Sequence, residues 1–204
     1  MRDVLARGIR RDGFEVITSA NWNGAMTVTG NLSVLAGTMY DAGLIITGNA
    51  TGTFLVDNGA TYTTAKTATA WFPTNFTTIT LNPTSTFNYI GAASFIIPTT
   101  PPTTYHNLGI PGGTSVTTYI KTLASNTTIQ ANMTMPLYNT LADGSKIVTV
   151  NGNIANTSTT GHTGAGKILF TGGSAIHTLT GTGPYANMEL DDAKRRLADE
   201  RDRD

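Results

Sequence analysis

The sequence predicts an all-β fold, a single-domain parallel β-solenoid with coils of about 20 residues, and two observations support this prediction. Residues 20–188 contain 38 threonines but only seven charged side chains, and such a Thr-, Gly- and Asn-rich body favours short strands ended by turns. Apolar residues also recur at spacings of 21, 21, 19, 21 and 19, at Phe87, Leu108, Ile129, Val148, Leu169 and Met188. A drifting period of this length is typical of stacked coils, of which we expect about eight.

Individual segments have the composition of short strands. Each has two to four β-branched or apolar residues followed by Gly or Asn, which tolerate positive φ. The clearest are residues 26–34, 44–50, 77–82, 147–154 and 167–173. The pair Gly30-Asn31 recurs as Gly48-Asn49 and Gly152-Asn153. An irregular β-sandwich or barrel, whose strands also recur with turns, is the alternative fold.

The two ends of the chain differ from the body, because they hold 19 of the 26 charges. We predict an N-terminal cap region at residues 1–19, a solenoid body at 20–190 and a helical cap at 191–204. In the last segment acids come first, and Leu190, Ala193 and Leu197 form one apolar stripe. Such caps would cover the strand edges that a solenoid exposes at its ends. The abrupt change of composition suggests grafted or designed caps, and the alternative is self-association end to end into a filament.

Bulk properties exclude several classes of protein. No apolar run approaches the roughly 18 residues of a membrane span, so we expect none. The net charge is zero and the body has no basic patch, which argues against a nucleic-acid partner. Cysteine is lacking, which excludes disulfides and thiolate metal sites. No signal peptide is visible, so an extracellular chain of this kind would be a fragment or a recombinant product.

The body is poor in groups for acid–base catalysis, since residues 20–188 contain no Glu, no Arg and three Asp. Asp41, Asp57 and Asp143 each precede a glycine and are interpreted as turn residues. A shared ion between Asp41 and Asp57 would require that they lie on adjacent coils. The three histidines, at positions 106, 162 and 177, are interpreted as surface or coil-packing residues. We therefore predict no catalytic, cofactor-binding or metal-binding residues and no cofactor.

Three further patterns were weighed as binding sites. The glycines of residues 161–166 lack the following helix of a phosphate loop, because Lys167 begins a strand-like run. Threonine pairs two residues apart would suit an ice-binding face only if they were in register on consecutive coils; they are Thr27/Thr29, Thr61/Thr63, Thr84/Thr86 and Thr178/Thr180. Aromatic residues that could bind carbohydrate, but that pack more often in cores, are Trp22, Trp71, Tyr105 and Tyr138.

Several segments resemble a repeat style found in very large secreted surface proteins of Bacteroidota-type bacteria. There a strand ending in Gly-Ala, then Tyr-x-Asn-Leu, then Asn-x-Thr-Ile-x-x-Asn-Leu recurs in that order. The segments similar to it here are residues 85–93, 104–110, 126–134, 148–154 and 183–190. The resemblance covers roughly residues 20–190 and leaves out the charged ends. It implies a β-solenoid stalk or adhesin segment at the cell surface, and no catalytic residue.

The sequence as a whole predicts a non-catalytic, extracellular structural or adhesion scaffold, such as a stalk or a surface-filament segment. The partners expected of it are further copies of itself, end to end, and a cell-surface or glycan ligand. The alternatives are a polysaccharide-active β-helix enzyme, an engineered capped solenoid, or an ice-binding protein.

Overall fold

The structure, a computed structural model, describes residues 19–21, 24–66, 72–97, 103–112, 117–172 and 176–192. Within these ranges all regular secondary structure is strand, arranged as a parallel β-solenoid of about seven turns. The predicted fold class is thereby confirmed, with about seven coils where eight were expected. The predicted cap segments lie almost entirely outside the described residues. None of the described residues belongs to a helix long and apolar enough to cross a membrane.

The chain divides into two compact units, residues 1–93 and 94–204. The described residues of unit 1 contain nine short strands: β1 (Ser19–Asn21), β2 (Ala25–Thr27), β3 (Leu32–Val34), β4 (Thr38–Tyr40), β5 (Ile45–Thr47), β6 (Thr53–Val56), β7 (Thr61–Thr64), β8 (Thr78–Leu81) and β9 (Thr86–Tyr89). They form three sheets with the orders β1-β2-β5, β3-β6-β8 and β4-β7-β9. All pairs are parallel except β1 with β2, which is antiparallel.

The described residues of unit 2 contain thirteen strands: β10 (Phe95–Ile97), β11 (Thr104–Tyr105), β12 (Asn107–Gly109), β13 (Tyr119–Leu123), β14 (Thr127–Ile129), β15 (Met133–Met135), β16 (Asn139–Ala142), β17 (Ile147–Val150), β18 (Ile154–Asn156), β19 (His162–Thr163), β20 (Lys167–Thr171), β21 (Leu179–Thr180) and β22 (Met188–Asp191). From β10 to β18 each strand pairs in parallel with the third strand after it, β20 pairs with β22, and the sheets are β10-β13-β16-β19, β11-β14-β17-β20-β22 and β12-β15-β18-β21. Each coil therefore consists of three short strands.

The length of a coil varies along the chain. The residue above Ala25 in the next coil is Ile45, a step of 20, whereas the residue above Phe95 is Lys121, a step of 26. Both pairs belong to parallel ladders, although the step differs. The register within the sheets is therefore preserved while the sequence period drifts.

The apolar residues from which the period was predicted recur at the right spacing, but they do not all pair with one another in the sheets. Ile129 pairs with Val150 rather than with Val148, and Val148 pairs with Ile168. Leu169 pairs with Thr149 and is half-buried on the outward side, so the prediction that it belongs to an inward apolar column was wrong. The physical reason is the alternation of strands: a shift by one residue moves a side chain to the opposite face.

The core of unit 1 is aromatic. Phe87 is buried and stacks on Tyr62 with ring centroids 5.1 Å apart, and on Phe72 at 4.7 Å. Phe54 meets Tyr62 edge to face at 5.3 Å. Tyr62 lies directly below Phe87 in the register of β7 and β9, so the parallel ladder produces this stack. Offset stacks of this kind add to the free energy gained by apolar burial.

The core of unit 2 is a set of inward columns of mixed apolar residues. In the sheet that contains β14 and β17 the buried column runs through Tyr105, Ile129, Val150 and Phe170. Tyr105 therefore belongs to the core, in agreement with the preference of solenoid aromatics for packing. Outward positions of the same strands are Thr104, Thr128 and Thr149.

Glycine is required where the chain of one coil passes close to the next. A Cβ on Gly52 would overlap the carbonyl oxygen of Gly30 one coil below. A Cβ on Gly166 would likewise overlap the carbonyl oxygen of Lys146. Any larger residue at these two corners would push neighbouring coils apart.

Replacing Phe87 with Ala should lower the free energy of unfolding by about 3–5 kcal/mol, since it opens a cavity beneath two packed rings. The matched control is Thr80→Ala on the exposed side of β8, which should change that free energy far less. Urea unfolding followed by circular dichroism measures both. Equal losses in the two variants would contradict the ring stack as the core of unit 1.

Candidate functional site

An aspartate at the end of β4 binds the backbone of two coils. Asp41 is buried, and its Oδ1 accepts hydrogen bonds from the N–H of Gly43 and the N–H of Ala65, both at 2.9 Å. Its Oδ2 accepts a hydrogen bond from the hydroxyl of Tyr62 at 3.2 Å. Burial, followed by the charge of Asp41, raises the pKa of Tyr62, so this phenol stays protonated and donates. Asp41 thus holds a turn and ties it to the next coil.

Asp143 repeats the same arrangement in unit 2, just after β16. Its side chain is fully buried, and Oδ1 accepts hydrogen bonds from the N–H of Ser145 at 2.7 Å and the N–H of Gly166 at 2.9 Å. The carbonyl of Asp143 also accepts from the N–H of Lys146 at 3.0 Å, which closes the turn. Gly164 is packed so closely that a Cβ there would overlap the carboxylate.

The second oxygen of Asp143 faces a histidine of the next coil. Nε2 of His162 lies 3.1 Å from Oδ2 of Asp143, and both side chains are excluded from solvent. This contact lacks the alignment of a hydrogen bond, so it is mainly electrostatic. On the other side of the ring, Nδ1 of His162 accepts the N–H of Ala186 at 3.4 Å. An accepting Nδ1 places the imidazole proton on Nε2, towards the carboxylate.

Burial lowers the pKa of His162, and the nearby Asp143 carboxylate offsets only part of that effect. The ring is therefore neutral at neutral pH. Protonating it would put a second N–H on Nδ1, where the N–H of Ala186 now donates. An acid pH therefore opposes the packing of residue 186 against this corner.

Lys121 is a buried cation in the same sheet. Its Nζ lies 4.1 Å from the ring centre of Phe95 and 5.4 Å from that of Tyr119. The register places Phe95, Lys121 and Leu141 in one inward column, with His162 next. Burial lowers the pKa of Lys121 to about 8. Contact with ring faces stabilises the charged form in this apolar setting.

A cluster of buried polar side chains lies on β16 and at the end of β18. Asn139 Nδ2 donates to the carbonyl of Ile110 at 3.0 Å, and Ser158 Oγ donates to the carbonyl of Asn139. The Asn156 side chain accepts from the N–H of Ser158 and donates to the carbonyl of Pro184, both at 3.1 Å. These side chains satisfy backbone groups where the coil bends, as buried polar groups generally must.

Asparagines also form a ladder along one edge of unit 2. The side-chain oxygen of Asn107 accepts the N–H of Asn132 at 3.1 Å, and that of Asn132 accepts the N–H of Asn153 at 3.1 Å. The oxygen of Asn153 then accepts the N–H of Thr178 at 2.7 Å. Each amide therefore clamps the start of the strand one coil further on.

Asp41 and Asp57, the two carboxylates that could have bound a shared ion, accept hydrogen bonds from separate sets of donors. Asp57 Oδ1 accepts from the N–H of Asn58 and from Asn82, whereas Asp41 binds a different set of donors. The hydrogen bond from Asn82, then that from Asn58, lowers the pKa of Asp57. Among the described residues no group of three or more acidic, histidine or cysteine side chains could hold a metal ion.

The other histidines occupy separate places. His177 approaches the carbonyl of Gly152 with Nδ1 at 2.7 Å, and its Nε2 lies 3.8 Å from Oδ2 of Asp192. Its ring packs on Phe170 at 5.1 Å. His106, half-buried, lies between β11 and β12. In residues 161–166, the chain forms β19 and the corner before β20, without a helix, as expected.

Threonine columns do occur in register, but not at the predicted pairs. Within unit 1 the column Thr38, Thr61, Thr86 is continuous, while its neighbouring column contains Tyr40, Thr63 and Asn88. A repeated Thr-x-Thr face is therefore not formed on these three strands. Trp22 and Trp71 lie outside the described residues, and Tyr138 is half-buried with a positive φ of 71°.

The structure contains one arrangement that the sequence did not predict, since Asp143 was interpreted only as a turn residue. The side chains of Asp143 and His162 lie in contact inside the solenoid. Their separation of 19 residues, about one coil, is a signal that places them on neighbouring turns. Both side chains are shielded from solvent. Comparisons with protein-family models, curated proteins and solved structures find no match to this chain.

Replacing Asp143 with Ala should lower the free energy of unfolding by about 2–5 kcal/mol, because two backbone N–H groups lose a buried acceptor. Asp143→Asn keeps one oxygen there and should lose less. The control is Asp57→Ala, a half-buried turn aspartate that is followed by the exposed Asn58 and Gly59. Urea unfolding of the three variants measures this. An Asp57→Ala loss as large as that of Asp143→Ala would contradict the assigned role of burial.

Stability should also fall with acid because of His162. Its pKa lies below 6.5 in the folded protein, so the unfolded chain takes up the proton first as pH falls through 6.5. The free energy of unfolding then decreases by at most about 1.4 kcal/mol per pH unit, until the folded pKa is reached. His162→Gln should remove this component, and His106→Gln should not. Urea midpoints between pH 7.5 and 5.0 test it, and identical pH profiles for wild type and His162→Gln would contradict it.

Proposed function

We propose that this chain is a non-catalytic extracellular scaffold, a stalk or surface-filament segment of a bacterial cell-surface protein. The observation that carries the proposal is the use of the buried carboxylates. Asp41 and Asp143 are both buried, and each binds two backbone N–H groups on two coils. These carboxylates, which are the kind of group that catalysis needs, therefore bind backbone N–H groups where the chain turns.

Parallel stacking suits a load-bearing role. The coils are built from strands of two to five residues, and most of these strands pair in parallel with a strand of the next coil. The asparagine ladder adds one side-chain hydrogen bond per coil at the edge of unit 2. Separating two coils therefore requires many hydrogen bonds to break together, which favours a segment that resists extension.

The surface setting is supported by the resemblance of residues 20–190 to repeats of secreted surface proteins. An outer surface rich in threonine and asparagine and poor in charge is compatible with that setting. An adhesive function has one specific observation in its favour. Tyr40 is 55% exposed and Thr38, two residues before it on the same face of β4, is exposed as well, which places a ring beside a hydroxyl group. Sugars stack on exposed rings and hydrogen-bond to such groups.

Incubating the purified chain with pectins, alginates and glucans distinguishes a scaffold from a polysaccharide-active enzyme. We expect no product, and steady release of oligosaccharides would refute the scaffold proposal. A glycan array then separates adhesin from passive stalk. Binding that Tyr40→Ala abolishes and Thr80→Ala leaves intact would assign adhesion to the Tyr40 surface, and a blank array would assign a passive stalk.

A further inference from the structure

Two Asn-Gly pairs lie in contrasting settings, although the dipeptide is the same. Asn58-Gly59 is at the turn between β6 and β7, and both residues are exposed. Asn151-Gly152 follows β17, and both residues are half-buried. Before a glycine, which has no Cβ, the main-chain nitrogen reaches the asparagine side chain with little steric hindrance. Asn23, which begins a third such pair, lies outside the described residues.

The turn at residues 57–60 leaves space around its two central residues. The carbonyl of Asp57 accepts the N–H of Ala60 at 3.0 Å, and Gly59 has a φ of 71°, a value that turns of this kind assign to glycine. A Cβ built on Gly59 would meet no heavy atom within 4 Å. The backbone of Gly59 therefore has room to move towards the side chain of Asn58.

A hydrogen bond from the next coil holds the main-chain nitrogen of Gly59. Its N–H donates to Oγ1 of Thr84 at 2.8 Å. Thr84 is exposed and has a positive φ of 65°, a conformation that is unfavourable for a β-branched residue. A hydrogen bond at an exposed corner opens more readily than one in the core. The Thr84 hydroxyl therefore restrains this nitrogen without fixing it permanently.

The second pair is held on several sides. The N–H of Asn151 donates to the carbonyl of Ile129 at 2.9 Å, and Nδ1 of His177 lies 2.7 Å from the carbonyl oxygen of Gly152. A Cβ on Gly152 would overlap the carbonyl oxygen of Ala131, and the side-chain oxygen of Asn151 is shielded from solvent. Movement of Gly152 towards Asn151 would break these contacts, so this pair is an internal reference for the first.

We propose that Asn58 is a site of spontaneous deamidation, and that the Thr84 hydroxyl restrains the reaction. The main-chain nitrogen of Gly59 attacks Cγ of Asn58, its proton passes through water to the departing amide nitrogen, and ammonia leaves. The product is a five-membered succinimide ring, whose closure requires the two reacting atoms to be brought into contact. Water then adds to either carbonyl of the ring and gives aspartate or isoaspartate at position 58. No oxidant or reductant takes part.

The reaction would change this corner of unit 1 in two ways. Both products place a second carboxylate next to Asp57. Isoaspartate also adds one carbon to the main chain, inside the turn that the hydrogen bond between residues 57 and 60 closes. Ala60 is fully buried, and its carbonyl accepts the N–H of Thr86 at 2.9 Å. The longer turn should therefore disturb the pairing of β7 with β9.

The test incubates the full chain at mildly alkaline pH, and peptide mapping by mass spectrometry gives the deamidated fraction at Asn58 and at Asn151. In the folded protein Asn58 should react about ten-fold faster or more, whereas in urea the two should react at similar rates. Thr84→Val keeps the shape of the side chain without its hydroxyl and should accelerate the reaction at Asn58 about five-fold. Asn58→Gln is the control, because its longer side chain closes a ring far more slowly.

Circular dichroism shows whether each variant is folded. If Thr84→Val does not fold, Thr84→Ala against Thr84→Ser, which keeps the hydroxyl, decides. Equal rates at Asn58 and Asn151 in the folded chain, or a difference that persists in urea, would overturn the assignment of the site. A rate that is the same with and without the hydroxyl would overturn the role of Thr84. The reaction takes up only water, so its outcome is independent of the scaffold proposal.

Discussion

The fold depends on satisfying backbone N–H groups at the corners, where the chain turns from one short strand to the next. A strand of three residues makes few ladder hydrogen bonds, so the corners hold a large share of the backbone. Buried N–H groups without an acceptor are costly. At these corners Asp41 and Asp143 each provide one carboxylate oxygen to two backbone N–H groups, and the asparagines at 107, 132 and 153 each provide an amide oxygen to one.

This constraint explains why a chain poor in charge buries some of its few charged groups. A carboxylate is a stronger acceptor than an amide and serves two donors on neighbouring coils. Its burial then calls for compensating partners, which are the Tyr62 hydroxyl in unit 1 and His162 in unit 2. The corner glycines follow from the same geometry, since Gly164 and Gly166 let backbone pack directly against Asp143.

The same interior arrangement bears on function. Asp41, Asp143 and His162 are buried, so the scaffold function proposed above assigns recognition to outward residues, among them Thr38 and Tyr40. Stability and ligand recognition are thereby carried by different faces of each strand. In a fold of this kind the outward residues can be substituted while the side chains that bind the backbone at the corners are kept.

The sequence by itself determined the β class, the period of about 20 residues and the punctuation by Gly, Asn and Asp, since these depend on local conformational preference. It also separated the charged ends from the body. Only the tertiary structure decided the register: Ile168 points inward while Leu169 points outward, because alternation reverses with each residue and coil lengths drift from 20 to 26. The burial of Lys121 and the pairing of Asp143 with His162 follow from that register, and no local pattern contains it.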